Sequence, residues 1–164
     1  MLEENAWGSV GPVSLKPAEL CAMNLSSVHQ SLRSFEPTGD ESNDVGRLYD
    51  ITDRIEADGL AAQCVADLLA VFERNPDADL GSPGPIVHCI ETVPMAESIP
   101  LLAQSLERVP TIMTLWMAER CLRSDPAEDS EAMLVAAIKT IPNSEAASTE
   151  LKSEATSVLA SRDI

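Results

Sequence analysis

Apolar residues recur three and four positions apart along most of this chain, and almost every such run is stopped by proline or glycine within about four turns. Leu60, Cys64, Val65, Leu68, Leu69 and Phe72 form the clearest run, closed by Asn75-Pro76. That spacing puts one apolar stripe on a helix of 3.6 residues per turn, and no segment shows the strict alternation of a half-buried strand. The chain must therefore bury a series of short one-sided helices against one another.

The periodicity predicts about eight helices. Cys21, Leu25, Val28, Leu32 and Phe35 mark the first, after an irregular lead-in over residues 1–15 pinned by Trp7. EPTGDESND, residues 36–44, reads as a mobile acidic loop. A second helix is expected from Asp44 to about Ala57, with Val45, Leu48, Ile51 and Ile55 inward, and Asp58-Gly59 ends it before the Leu60 run. A short helix near Pro85–Thr92 follows, then one carrying Ile99, Leu102, Leu106 and Val109 with Ser98 as its candidate cap. PTIMTLWMAERCL, opened by Pro110, is apolar on nearly every side and is expected to be central, with Trp116 in the core. Asp125, Pro126 and Glu128 read as a capping box for a helix through Met133, Leu134, Ala137, Ile138 and Ile141. Leu151, Ala155, Val158 and Leu159 mark the last. With 164 residues, the expectation is one all-α domain over 1–164. Its helices would stack as hairpins in an irregular, HEAT-like α-α superhelix, with a globular bundle as the alternative.

Charge narrows the function classes. Twenty-seven acidic residues against 11 basic ones leave −16, which disfavours direct nucleic-acid binding and attraction to an anionic membrane, and favours a cationic partner. The excess is concentrated: residues 36–80 hold 12 acids and only Arg47, Arg54 and Arg74, so 3 − 12 = −9. From this region Asp50, Asp53, Glu56, Asp58, Asp77 and Asp79 are the candidate partner-binding residues. No apolar run reaches the roughly 18 residues of a membrane helix, and the acidic start does not read as a secretory signal, so a cytoplasmic location is expected.

The motifs that would carry chemistry are weak. Cys21, Cys64, Cys89 and Cys121 are far apart and each lies in an apolar stretch, which predicts buried structural thiols and neither a metal site nor a disulfide framework. His88-Cys89 are neighbours, but side chains adjacent on a helix point about 100° apart and cannot readily pair as base and nucleophile; His88 is expected in the core or an interface. GSPGP, residues 81–85, lacks the Lys-Ser/Thr and preceding strand of a phosphate loop, and its two prolines remove backbone donors. It reads as a rigid turn or a recognition loop. No enzyme activity and no cofactor are expected.

LGSPGPIVHCIE, residues 80–91, and SLERVPTIMTLWMAERCL, residues 105–122, resemble blocks of small helical immunity proteins from bacterial polymorphic-toxin and contact-dependent inhibition systems. Gly81, Pro83, Gly84, Pro85, Pro110 and Trp116 carry the resemblance as framework residues. It implies a HEAT-like helical protein, made in the toxin-producing cell, that binds and neutralises a cognate toxin domain and has no catalytic residues of its own. The charge excess fits a cationic toxin such as a nuclease. The rival from another class is a helical adaptor that holds a peptide or regulatory protein between hairpins.

Overall fold

A computed structural model describes the backbone of residues 17–162 and the side chains of residues 25–162. Trp7, Cys21 and the lead-in over residues 1–15 lie outside the described side chains. Among the described residues there are eight α-helices and no strand: α1 (Pro17–Arg33), α2 (Glu41–Ala57), α3 (Ala61–Arg74), α4 (Gly84–Glu91), α5 (Met95–Arg108), α6 (Ile112–Arg123), α7 (Glu128–Thr140) and α8 (Thr149–Ala160), with a 3-10 turn at Ile141–Asn143.

The helices stack as the sequence predicts. Apart from the α4–α5 pair, each packs on its neighbour in the chain, and also on a helix two along: α1 on α3, α3 on α5, α5 on α7, and in the other layer α2 on α4 and α6 on α8. Two layers of hairpins result, an irregular α-α superhelix. One contiguous apolar core runs from Val28 and Leu32 on α1 through Leu68, Leu106 and Ile138 to Val158 on α8. Polar ties cross between stacked helices of one layer. Arg33 meets Asp67 at 3.0 Å between α1 and α3, and between α3 and α5 Glu73 accepts from the buried Ser105 hydroxyl at 2.6 Å and from Arg108 at 2.6 Å.

Four local expectations are corrected. The acidic segment 36–44 is not all loop: α2 starts at Glu41, with the Asp40 side chain capping Asn43 N–H. Asp44 is buried within this capping turn, where its carboxylate accepts from the Thr38 N–H, the Thr38 hydroxyl, the Gly39 N–H and Arg47. Ser98 does not cap α5, which begins three residues earlier at Met95, and Pro100 lies inside the helix. The Asp125 capping box is absent. Asp125 turns through a positive φ of 53°, so the helix begins only at Glu128, which is its first residue and not its third. Finally, α6 is not apolar all round: Ile112 is 45% exposed and Trp116 is half-buried. Its cap is a reciprocal pair between Thr111 and Thr114.

Asp44 gives the fold a pH dependence. Burial alone would raise its carboxyl, but the Thr38 and Gly39 hydrogen bonds and the Arg47 guanidinium outweigh that and hold it below the ordinary aspartate value. A depressed native pKa stabilises the fold above the unfolded value of about 3.9, and the contribution is lost as pH falls through the native value. Asp44→Asn is therefore expected to melt below the parent protein at pH 7, with the gap closing in acid. Thermal melts across that range check it, and a gap of unchanged size at low pH would refute the assignment.

Candidate functional site

All six carboxylates that the sequence nominates are exposed: Asp50, Asp53, Glu56 and Asp58 on and after α2, and Asp77 and Asp79 in the α3–α4 connection. None forms an ion pair with another described residue. Of the six other acids of residues 36–80, Asp44, Asp67 and Glu73 are each held by an arginine, namely Arg47, Arg33 and Arg108. Beyond that span Glu91 is paired with Arg120, Glu119 with Arg123, and Glu131 with Arg162. Six arginines are thus spent on internal pairs, and the nominated carboxylates stay uncompensated on the surface.

They do not converge on one point. Tyr49, which is 44% exposed, Asp53 and Glu56 follow one another at four- and three-residue steps and share a face of α2, with Asp50 to one side. Asp58 lies at the C-terminal end of this 17-residue helix, about 25 Å from its start. Asp79 lies near that start, because Gly81, two residues on, runs close beside Val45, the fifth residue of α2. The acids therefore form a band along the length of α2.

The α3–α4 connection is rigidly shaped. Gly81 has φ +87° and its backbone lies so near Gly84 that an added Cβ would come within 2.9 Å of the Gly84 Cα, so only glycine fits. The Asp79 carboxylate accepts from Gly81 N–H at 3.2 Å, which turns its own loop. This connection and the N-terminus of α6 bound a cleft of about 270 Å³ that includes Asp77, Asp79, Ile112 and Met113. On the other side of Ile112 a second cleft of about 280 Å³, between α6 and α8, is bounded by Leu115, Trp116, Glu119, Glu150, Glu154 and Val158. This exposed apolar ridge is not among the residues nominated from the sequence. A signal for it exists: Ile112, Trp116, Glu119 and Arg123 are spaced four, three and four apart, and a stripe that ends in charges faces solvent.

A third, more apolar cleft of about 260 Å³ opens where the layer of even-numbered helices is interrupted between α4 and α6, and includes Val93, Met95, Met117 and Cys121. The Glu91–Arg120 pair joins α4 to α6 at 2.8 Å, and Arg120 also stacks on Trp116 at 4.8 Å.

The side chains weighed for chemistry are dispersed. His88 is exposed, contrary to a core placement, whereas Cys89 is fully buried. Burial, with Glu56 and Cys64 nearby, pushes the Cys89 thiol up to about 12; burial and Asp67 push Cys64 up to about 11. Burial likewise raises half-buried Cys121. These three thiols are free and stay protonated at neutral pH. Among the described residues no group of three or more His, Cys, Asp or Glu is placed to hold a metal ion, and no helix is long and apolar enough to cross a membrane. No known protein family, curated protein or solved structure matches the chain.

Proposed function

We propose that this protein is an immunity protein: it binds a cognate, cationic bacterial toxin domain in the cytoplasm and neutralises it by covering its active surface. The observation that carries the reading is the band of exposed, internally unpaired carboxylates on and beside α2, in a chain of net charge −16 whose arginines are largely spent on internal pairs. Such a surface raises the encounter rate with a basic protein and repels acidic ones and nucleic acid. The resemblance of residues 80–91 and 105–122 to helical immunity proteins supports the same reading. Inhibition by occlusion asks nothing of this chain but complementarity.

The test is capture followed by rescue. The tagged chain, expressed in its own bacterium, is expected to co-purify in stoichiometric amount with a basic protein domain that arrests growth when expressed alone and is harmless when co-expressed with this chain. A stoichiometric partner that is not toxic would favour the adaptor reading, and turnover of a substrate by the purified protein would overturn both. With the captured domain in hand, neutralising Asp50, Asp53, Glu56 and Asp58 to Asn or Gln is expected to slow association several-fold at low salt and to flatten its salt dependence, because rim charges act mainly on encounter. Equal on-rates for parent and variant at both low and moderate salt would reduce these residues to a solvated surface.

A further inference from the structure

The α2 band carries one exposed aromatic, Tyr49, whereas the two clefts that meet at the N-terminus of α6 set charge around several apolar side chains. Ile112 is the first residue of α6 and 45% exposed, and it borders both clefts. Trp116, one turn on, borders the α6–α8 cleft, and Met113 borders the other. Carboxylates stand on both sides: Asp77 and Asp79 in the α3–α4 connection, and Glu150 and Glu154 in the first two turns of α8. All four are exposed, and none pairs with a described residue. A half-buried aromatic beside an exposed aliphatic side chain, ringed by polar groups, is the composition of a binding centre, where apolar anchors hold the complex and the rim excludes water.

We infer that the ridge Ile112–Trp116 is the anchoring centre of the protein's binding surface, and that it takes a basic protein segment presenting an aliphatic or aromatic side chain between lysines or arginines. Charge complementarity selects that occupant. An acidic or neutral apolar segment would leave four carboxylates facing no counter-charge, whereas Lys or Arg flanking an apolar anchor reaches Asp77 and Asp79 on one side and Glu150 and Glu154 on the other. Glu154 also borders a cleft with Arg123 and Arg162, but the chain's own cations there are already engaged, Arg162 with Glu131. Arg123 is tied to Glu119, and Arg120 lies over the Trp116 ring and bonds to Glu91. The inference rests on the reading of the protein as a binder of a cationic partner and adds a division of labour: the α2 band steers, and the α6 ridge holds. Nothing here needs the partner to be a toxin.

The probe is a short synthetic peptide of Lys, Arg and Leu, with an all-Lys peptide and an uncharged Leu-Ser peptide as controls, titrated into the full chain in a Trp7→Phe background so that Trp116 is the sole indole. The Lys-Arg-Leu peptide is expected to change Trp116 emission saturably and more tightly than either control. Ile112→Ser, and separately Glu150→Gln with Glu154→Gln, should each weaken it by about tenfold, the loss of one good contact. Replacing Glu97 and Glu128, exposed carboxylates that border neither cleft, by Gln should leave the affinity within about twofold. Both sets of positions are exposed, so the variants fold. No change in Trp116 emission, or equal binding by the Ile112→Ser variant, overturns the inference, as does an equal loss in the Glu97 and Glu128 variant. The two readings fail separately. Peptide binding at Trp116 without a toxic partner in the capture experiment removes the immunity reading and leaves the ridge; a captured toxin held equally well by Ile112→Ser removes the ridge and leaves immunity.

Discussion

Leu106→Ala should cost about 3 to 5 kcal/mol, close to the upper end for a leucine truncation. The side chain is fully buried on α5, and α5 packs against α3, α6 and α7 together. Neighbours on that many sides cannot all move in, so the lost methyl groups leave a cavity that is not refilled and the penalty exceeds simple transfer to water. Against a total stability of about 5 to 15 kcal/mol this is a large fraction. For a chain of this length it corresponds to a fall in Tm of about 10 to 15 °C. The control is Ile112→Ala, an aliphatic truncation at a position 45% exposed, which should change stability by less than about 0.5 kcal/mol. Urea titrations of both variants decide the matter. A loss under about 1.5 kcal/mol for Leu106→Ala would mean that α5 is not the middle of the stack.

Helix existence was legible in the sequence because the 3.6-residue stripe reports burial directly. Leu60 to Phe72 yields α3, and Leu151, Ala155 and Val158 yield the buried face of α8. Helix starts were less legible, because a cap depends on backbone dihedrals that composition does not set. Asp125 has the right chemistry for an N-cap but adopts φ +53°, and Ser98 has it too but lies a turn inside α5, with its hydroxyl returned to the Pro94 carbonyl at 3.4 Å. The misjudged face of α6 has a different cause. Ile112, Met113, Leu115, Trp116 and Met117 crowd the wheel with apolar residues, so hydropathy alone makes the helix central. In the stack, α6 instead belongs to the even-numbered layer, and the side of it that carries Ile112 and Trp116 is only partly covered by α8.

The candidate site divides along the same line. Exposure of Asp50, Asp53, Glu56, Asp58, Asp77 and Asp79 could be read from local polarity, and the structure places all six at the surface. That Asp67 and Glu73 are already neutralised could not be read locally, because their partners come from far along the chain: Arg33 reaches Asp67 from 34 residues away, and Arg108 reaches Glu73 from 35. Nor could the meeting of the α3–α4 connection, α6 and α8 around Ile112, which the stacking alone creates.

Phe35 tests the other end of the stack. It follows α1, is 2% exposed, and carries the Arg47 guanidinium 4.7 Å from its ring centroid. Arg47 in turn donates to the Glu36 carbonyl and to Asp44, so the ring supports the turn that leads into the acidic helix α2. Phe35→Ala is expected to cost about 3 to 5 kcal/mol. Burial dominates that figure, since a buried phenyl removes about 150 to 250 Å² from water, whereas a guanidinium stacked on it at a part-exposed position adds only about 0.5 to 1 kcal/mol. Phe35→Leu separates the two contributions: it keeps most of the apolar volume and loses the cation–π contact, so it should cost no more than about 1.5 kcal/mol. Chemical denaturation of both variants gives the comparison. If leucine proves as damaging as alanine, the aromatic stack, and not the filled volume, holds α1 against the start of α2, and the Arg47–Asp44 turn would then be expected to weaken with it, visible as a loss of the acid-dependent stability that Asp44 supplies.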